Sequence, residues 1–532
     1  MKPVPFGYFE QVIENWNRAC ENYAHEIGLE PAWMERLRAF GPWQADRGTE
    51  RFETVESRLL GQLDDLVGQI TAALEEEVDA PQAAMFVRRF RAVVDRLGAM
   101  PTDDIARLLR VALVGRVHEL AHGEGMLPRA LRVRAAVDYF YSLCAVRHHA
   151  LLREEAGREP LTAEQLVQSA QWQQVGEGVR WGRLNGDTEN GPQHTNVLVI
   201  EPGAVSMQAA DLRAEVDSGA SFADSARTRN AVAAVSGGFF LYSEPDILAP
   251  SCRFDPVGLM VSEGEVISPP IFHRGTLLQL GDGSWHVGRQ GLLGVRIRTS
   301  ELSIVIGAVN TPEKVERVPV AFTRAWGKVV TEPSGPSMSV VGRRVVDIAP
   351  AGRSVPVPLN GCVITFPKGF PAILKRGDVV EWRLPRGAEG LSVEEAIAGG
   401  PVLIADGEDG LSFEREDFTG TAPPQTFSGD ETGDHNLLPR MAAGIDATGR
   451  LIFAAVDGRN FERALGLSLY GTANLMRSLG CVAACNLDGG SSKRMVVRDR
   501  VVDLSTTEVV GPAKPVQQSV RPVHSGLFFV AR

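Results

Sequence analysis

Two aspartates near the C-terminal end of the chain could act together in acid–base chemistry. Asp457 ends the apolar run of RLIFAAVDGRN (450–460), and Asp488 ends the apolar run of CVAACNLDGGSS (481–492). A positioned carboxylate can donate or accept a proton, and a pair can divide that work between an acid and a base. Asp-Gly is also a common turn dipeptide, so either motif alone most often marks only a turn.

Polar residues and glycines surround the two aspartates. The glycine pair after Asp488 lets the backbone approach a ligand closely, and the serine that follows adds a hydroxyl donor. Carboxylates beside arginine and a Gly-Gly turn suit a substrate that carries both a sugar and a phosphate. The candidate binding residues in this region are Arg440, Arg459, Asn486, Gly489, Gly490 and Ser491.

The order of elements predicts where the two aspartates lie. Each follows a strand-like run, and the segment between them, FERALGLSLYGTANLMRSLG (461–480), has a helical pattern. Strand–helix–strand predicts a βαβ unit with parallel strands. The C-terminal ends of parallel strands lie at one edge of the sheet, which is the usual place for a ligand. We therefore expect Asp457 and Asp488 to share that edge.

A second motif, RVHELAHGEG (116–125), resembles a zinc-protease signature. His118 and His122 are four residues apart, a spacing that lets both bind one metal on a helix, with Glu119 to activate water. The extended motif places a third histidine where this chain has Pro128. A histidine in the last turn of a helix is also favoured by the helix dipole without any metal. Zinc proteolysis is therefore the lesser alternative.

The two parts of the chain differ in pattern. Residues 1–170 show apolar residues at helical spacing and few strand signals, which predicts an all-α helical bundle. Residues 171–532 show short β-branched runs bounded by Gly, Pro, Asp and Asn, which predict an α+β or mixed α/β domain with a large sheet. Within it, 296–390 reads as purely β and as a possible subdomain.

Three helices and one loop are predicted inside the second part. The helices are expected near 221–229, 392–398 and 465–479. The polar stretch 414–436 is rich in turn residues, and we expect a loop beside a site because the strongest motifs follow it directly.

Composition and charge exclude some classes of partner. The net charge of −11 argues against nucleic acid or an anionic membrane as the main partner. No run of apolar residues is long enough to predict a transmembrane helix. The start of the sequence lacks the apolar core of a signal peptide, so we expect a cytoplasmic protein, with unconventional delivery outside the cell left open. The six scattered cysteines predict free thiols.

Several segments, taken in order, resemble the phosphodiester glycosidase family. They are AVSGGFF (234–240), DPVGLMVSEGEVIS (255–268), AIAGGPVLIADG (396–407), the Pro-Arg pair of 439–440, VDGR (456–459) and NLDGGSS (486–492). The resemblance covers roughly residues 195–532. Two positions depart from the family pattern, because Ser236 stands where Asn is usual and Met441 stands where Thr is usual.

The resemblance implies hydrolysis of a sugar-1-phosphodiester, which frees a sugar such as N-acetylglucosamine from a phosphorylated acceptor. Asp488 and Asp457 are then the carboxylates that act in acid–base work or stabilise an oxocarbenium ion. Arg440 and Arg459 would hold the phosphate, because a guanidinium fork matches two phosphate oxygens. Asn486 could bind a sugar hydroxyl. Backbone N–H groups would come from Gly237, Gly238, Gly489 and Gly490, beside Ser236 and Ser491.

Other interpretations of the same residues remain open. The implied reaction requires no cofactor, but Asp457, Asp488 and Asn486 could instead hold a divalent cation that binds the phosphate. The departure at Ser236 is compatible with a non-catalytic protein of the same fold that binds carbohydrate or phosphate. The helical domain is most simply an interaction or oligomerisation domain, and its sequence names no partner.

Overall fold

The computed structural model describes residues 61–78, 80–98, 152–242, 247, 249–299, 302–370, 375–385, 391–418, 437–460, 462–504 and 521–532, with scattered residues between 110 and 150. They fall into two compact units. One contains the described residues up to Thr162 and the short segment Asp187–Pro192, and the other contains nearly all the rest. No helix among these residues is long and apolar enough to cross a membrane.

The described residues of the first unit up to Glu155 are mostly helical. Helix α1 (Leu63–Glu75) buries Ile70 and Leu74, and helix α2 (Ala80–Gly98) buries Phe86 and Phe90. These apolar residues recur at helical spacing, so each helix presents one apolar face. Much of 1–170 lies outside the described residues, and the helical-bundle domain stays a prediction.

Strands dominate the described residues after Thr162. Before residue 296 they are β1 (Gln171–Gly176), β2 (Val179–Thr188), β3 (Gly191–Ile200), β4 (Val205–Asp211), β5 (Ala231–Ser236), β6 (Met260–Ser262), β7 (Glu265–Ser268), β8 (Arg274–Leu280) and β9 (Trp285–Gln290). Three helices precede or interrupt them: α3 (Ala163–Gln168), α4 (Arg213–Asp217) and α5 (Phe222–Thr228). Helix α5 confirms the helix expected near 221–229, and it begins with a capping box between Ser221 and Asp224.

The section predicted to be purely β contains short strands that pair with one another. They are β10 (Arg296–Arg298), β11 (Ser303–Val305), β12 (Ala308–Val309), β13 (Val320–Phe322), β14 (Val329–Val330), β15 (Ser337–Val341), β16 (Arg344–Ala349), β17 (Val355–Pro356), β18 (Gly361–Thr365) and β19 (Glu381–Arg383). They form the sheets β11-β10-β19, β12-β13-β18-β15-β16 and β14-β17. The only helical turn described inside the section is the 3-10 turn Pro312–Lys314.

The C-terminal elements complete the two sheets that carry the site. They are β20 (Val393–Ala398), β21 (Val402–Ala405), β22 (Glu408–Asp409), β23 (Arg440–Asp446), β24 (Leu451–Val456), α6 (Leu469–Ser478), β25 (Cys481–Leu487), β26 (Met495–Val497), β27 (Arg500–Val501) and β28 (Ser525–Ala531). One sheet has the order β1-β2-β3-β24-β23-β25-β21-β22, the second β27-β26-β5-β28-β4, and a third β7-β6-β20-β8-β9.

The main core lies between the eight-stranded sheet and the β27-β26-β5-β28-β4 sheet. Phe453 of β24 and Phe529 of β28 meet there with ring centroids 5.2 Å apart. Met441 is fully buried in the same core. Met441, which stands where the resembling family usually has Thr, therefore packs against apolar neighbours.

One local prediction is wrong, and one predicted helix begins later than expected. The helix expected near 392–398 is wrong, because Val393–Ala398 is strand β20, paired antiparallel with β6 and β8. Its glutamate and alanine residues favour a helix locally, but pairing between two strands overrides that preference. The helix expected at 465–479 is confirmed as α6, although it begins only at Leu469, after the capping hydroxyl of Ser468.

Most of the expected site loop at 414–436 lies outside the described residues. Its beginning forms the 3-10 turn Glu414–Glu416. The four cysteines that the structure describes, Cys252, Cys362, Cys481 and Cys485, form no disulfide.

Candidate active site

One edge of the eight-stranded sheet carries the candidate residues. Strands β24 and β25 both pair antiparallel with β23, so they run in the same direction on either side of it. Asp457 and Asp488 follow these two strands directly and share an edge, as the sequence predicts. The strands are not parallel neighbours, however, because β23 lies between them and brings Arg440 to the same edge from the opposite direction.

Pro439 is the point at which three of the motifs meet. The Gly490 N–H donates to the Pro439 carbonyl oxygen at 2.9 Å. A Cβ added at Gly489 would lie 2.6 Å from that oxygen, and one added at Gly458 would lie 2.7 Å from the Pro439 nitrogen. The two Asp-Gly turns therefore need glycine because their backbones press against the same residue, which leaves no space for a side chain.

Two further glycine segments close around the Asp488 turn. The Asp488 N–H donates to the Gly237 carbonyl oxygen at 3.1 Å, and the Gly400 N–H donates to the Asn486 carbonyl oxygen at 2.7 Å. The Asn486 side-chain amide also donates to the Gly400 oxygen at 3.0 Å. Motifs from five separate segments of the sequence thus lie close together in the fold.

The backbone N–H groups expected to bind a ligand are mostly engaged within the protein. Gly237 donates to the Ser525 carbonyl oxygen at 3.0 Å, and Gly238 donates to the Ser525 hydroxyl at 3.1 Å. The Gly490 N–H is bonded to Pro439. These three glycines are therefore explained by close packing of backbone segments, and the expectation that they bind a ligand through their N–H groups is not supported.

Two arginines lie around the Asp488 turn. Arg440 is buried, and its Nε donates to the Leu467 carbonyl oxygen at 3.0 Å. Arg459 is also buried and has a positive φ of 56°. Its Nη1 lies 3.6 Å from the position that a Cβ at Gly490 would take. Asp488, two residues before Gly490, is half-buried. Such guanidinium groups match the geometry of phosphate oxygens.

Asp457 has a different environment, because its carboxylate is fully buried and bonded on both oxygens. Oδ1 accepts from Lys493 Nζ and from the Leu504 N–H at 3.0 Å, and Oδ2 contacts His194 Nδ1. Lys493 also contacts Asp503 at 2.8 Å, and all three charged side chains have no exposed surface. Burial alone would lower the pKa of Lys493, but Asp457 and Asp503 outweigh it and raise the pKa above its ordinary value.

Sequence reasoning missed His194, Lys493 and Asp503. Lys493 directly follows the GGSS turn, so its proximity along the chain is a signal that could have been used. His194 stands 263 positions from Asp457, and no spacing rule connects the two. Only the pairing of β3 with β24 brings them together.

The two serines of the candidate set have identifiable partners. Ser236 is buried, its hydroxyl accepts from the Arg494 N–H at 3.0 Å, and its own N–H donates to the Arg494 carbonyl oxygen at 2.9 Å. It therefore links β5 to the start of β26. The Ser491 hydroxyl accepts from Arg521 at 2.9 Å, and the Arg521 guanidinium lies 3.5 Å from the centre of the Tyr242 ring.

The residues present do not favour a divalent cation at Asp457. Both of its oxygens accept hydrogen bonds from protein groups, and Lys493 already supplies a positive charge there. No group of three or more His, Cys, Asp or Glu side chains suited to a metal occurs within the described parts of the chain.

The zinc motif is only partly described. His118 and His122 have ring centroids 4.4 Å apart, and His122 Nδ1 lies 2.8 Å from the His118 carbonyl oxygen. Burial, and then the charge of His122, lower the pKa of His118. The helical residues end at His122, as expected from the sequence, while Glu119 lies outside the described residues.

Comparison with known proteins finds similar solved structures and a matching family model. Solved structures with similarity include a hypothetical protein from Synechocystis, at 22% identity, 68% coverage of this chain, 64% of that chain and a TM-score of 0.44. They also include the catalytic domain of zebrafish N-acetylglucosamine-1-phosphodiester alpha-N-acetylglucosaminidase, auto-inhibited by its pro-peptide. This match has 14% identity and a TM-score of 0.37, and it covers 68% of this chain and 88% of that chain. The chain thus spans less than two thirds of the Synechocystis protein. No curated protein sequence matches it.

The family model that matches is that of the phosphodiester glycosidases, over residues 334–530. This range includes Arg440, Asp457, Arg459 and Asp488, whereas His194 and Ser236 precede it. The resemblance to the phosphodiester glycosidase family is therefore confirmed for residues 334–530.

Proposed function

We propose that the protein is a hydrolase that cleaves a sugar-1-phosphodiester and releases a sugar such as N-acetylglucosamine from a phosphorylated acceptor. The observation that carries this proposal is the meeting of the Arg440, Asp457-Arg459 and Asp488 segments around Pro439. Two arginines and a half-buried aspartate thereby come to one edge of the sheet. The family match over 334–530 supports the same class of reaction.

Each part of the substrate has a candidate partner. Arg440 and Arg459 hold the phosphate, which is already a good leaving group and needs little help from an acid. Asp488 stabilises the positive charge that develops at the anomeric carbon. Asn486 Oδ1 is buried and has no hydrogen-bond partner among the described residues, so it can accept a bond from a sugar hydroxyl.

The test is an assay of the purified full chain against a panel of α- and β-linked sugar-1-phosphodiesters. Free sugar and the matching phosphomonoester are quantified together, because cleavage at the anomeric carbon releases both in equal amounts. Asp488→Asn provides the matched control, and we expect it to lose at least about 100-fold in kcat/KM. Chelator treatment should leave the rate unchanged, because the proposal requires no metal.

Three outcomes would contradict the proposal or one of its residue assignments. If no sugar is released from any member of the panel, the protein is not a hydrolase of this class. Binding of the same compounds without release would instead identify a carbohydrate- or phosphate-binding protein. Equal activity in the Asp488→Asn variant would remove Asp488 from the mechanism.

A further inference from the structure

His194 is held by Asp457 from two directions. The ring Nδ1 contacts Asp457 Oδ2, and the His194 carbonyl oxygen accepts from the Asp457 N–H at 2.9 Å. The neighbouring residues Thr195 and Val456 are paired in the ladder between β3 and β24. A ring fixed by its backbone and by one nitrogen presents the other nitrogen in a defined direction.

Asp457 is in turn fixed by Lys493. The lysine ammonium bonds to Asp457 Oδ1 and lies 2.8 Å from Asp503 Oδ2, while Asp503 Oδ1 accepts from the Met495 N–H at 2.6 Å. The arrangement pairs one buried cation with two buried carboxylates. Asp457 therefore remains an acceptor for the imidazole and is not free to act on a substrate itself.

The His194 imidazole is partly exposed, unlike the three charged side chains behind it. Its side chain is 16% exposed, whereas the side chains of Asp457, Lys493 and Asp503 are 0% exposed. Its Nε2 has no hydrogen-bond partner among the residues that the structure describes. An imidazole oriented by a carboxylate on Nδ1, with Nε2 available, is the arrangement used for general base catalysis.

His194 lies on the same sheet edge as the rest of the candidate site. The strand order is β3-β24-β23-β25, and His194, Asp457, Pro439 and Asp488 stand just beyond the paired residues of these four strands. With neighbouring strands about 4.8 Å apart, the strands of His194 and Asp488 are separated by about 14 Å. A glycosyl phosphate placed along the edge can contact side chains that extend from both.

We propose that His194 is the general base of the hydrolysis, and that Asp457 and Lys493 are positioning residues. This inference rests on the proposed function. Nε2 takes a proton from the attacking water while the water oxygen bonds to the anomeric carbon. The bond from that carbon to the phosphate oxygen breaks, and its electron pair leaves with the phosphomonoester. The proton stays on Nε2, and the Nδ1–H is held by Asp457.

The test compares His194→Gln with His286→Asn, which changes an exposed histidine on β9 as a matched control. The glutamine amide can still donate to Asp457 but cannot take a proton at neutral pH. We expect His194→Gln to lose about 100- to 10,000-fold in kcat/KM, and His286→Asn to stay within about twofold of the unchanged protein. The loss should be equal on a sugar-1-phosphodiester and on the corresponding glycosyl fluoride, because a base acts on water whichever group leaves.

Rescue by imidazole supplies a readout that a purely structural role would not give. In a His194→Ala variant, added imidazole should restore part of the rate in proportion to its unprotonated form. If His194→Gln keeps the full rate, or if the fluoride is spared while the phosphodiester is not, the proposal is overturned. If the unchanged protein releases no sugar from any substrate, the proposed function fails first, and this inference fails with it.

Discussion

The Asp457 turn and the Asp488 turn have the same sequence pattern, an apolar strand that ends in Asp-Gly, but the structure gives them different environments. Asp457 is fully buried and accepts bonds from Lys493, Leu504 and His194. Asp488 is half-buried and directly precedes the glycine pair, which Arg440 and Arg459 approach. The Asp457 carboxylate is thus fully enclosed by protein groups, whereas Asp488 keeps part of its surface exposed.

The difference shows that a shared motif does not imply a shared role. Both turns meet Pro439 because both follow strands that run in the same direction. The two turns differ in the neighbouring segments of the chain. Asp457 faces Lys493 and Asp503, at the edge of the second sheet, whereas Asp488 begins the turn that carries the glycine pair. We therefore expect substitutions at Asp457 to lower both stability and turnover, and substitutions at Asp488 to act mainly on turnover.

The largest effect on stability should come from Lys493→Met. The substitution leaves Asp457 and Asp503 buried without the cation that bonds to both. Removing one partner of a buried ion pair costs about 3–5 kcal/mol in the free energy of unfolding. Urea denaturation at neutral pH measures the change. The exposed Lys314→Met is the matched control and should stay within about 0.5 kcal/mol. An equally small change for Lys493→Met would show that the buried cluster does not stabilise the fold.

Replacing each aspartate by asparagine should affect kcat/KM and the free energy of unfolding differently. Asp488→Asn should lower kcat/KM by about 100- to 10,000-fold and leave the free energy of unfolding within about 1 kcal/mol. Asp457→Asn should lower both quantities, because it weakens the bonds to Lys493 and His194. Steady-state kinetics and urea denaturation on the same preparations decide between the patterns. Identical behaviour of the two variants would remove the distinction between the turns.

Gly489→Ala tests the close packing around the Asp488 turn. The new Cβ would stand 2.6 Å from the Pro439 carbonyl oxygen, so the backbone must shift. We expect a loss of about 1–3 kcal/mol in the free energy of unfolding, together with a fall in kcat/KM. Gly68→Ala, in helix α1 with open space around the added atom, is the control and should be neutral or slightly stabilising. Retention of full stability and activity by Gly489→Ala would contradict this packing.

The smallest predicted effect is the pH dependence of the stabilisation that Lys493 provides with Asp457 and Asp503. The pKa of Lys493 is raised above 10.5 because the two carboxylates outweigh the opposing effect of burial. The folded state therefore holds this proton more tightly than the unfolded chain, so the stabilisation is complete below about pH 10.5. It is lost as the pH rises through the folded-state pKa. Urea denaturation above pH 10.5 should show a steeper decline for the unchanged protein than for Lys493→Met, and parallel declines would contradict the assignment.

Much of the local structure could be predicted from the sequence. The Asp-Gly turns after apolar runs, helix α5 with its Ser221 cap and helix α6 all follow from patterns within a few residues. The strand β20 could not, because its alanine and glutamate residues are compatible with a helix and only pairing with β6 and β8 decides. The sequence pattern also did not reveal that β23 lies antiparallel between β24 and β25, because strand order depends on pairing between distant segments.

The sequence by itself indicated that Asp457 and Asp488 share one edge of a sheet, because each ends an apolar run at a turn and a helical segment stands between the two runs. It identified Arg440, Arg459 and Asp488 as candidates without the structure. Only the tertiary structure decided that Asp457 is enclosed by Lys493 and His194. His194 is 263 positions and Lys493 is 36 positions from Asp457, so the burial and charge of Asp457 depend on contacts between segments that are distant in the sequence.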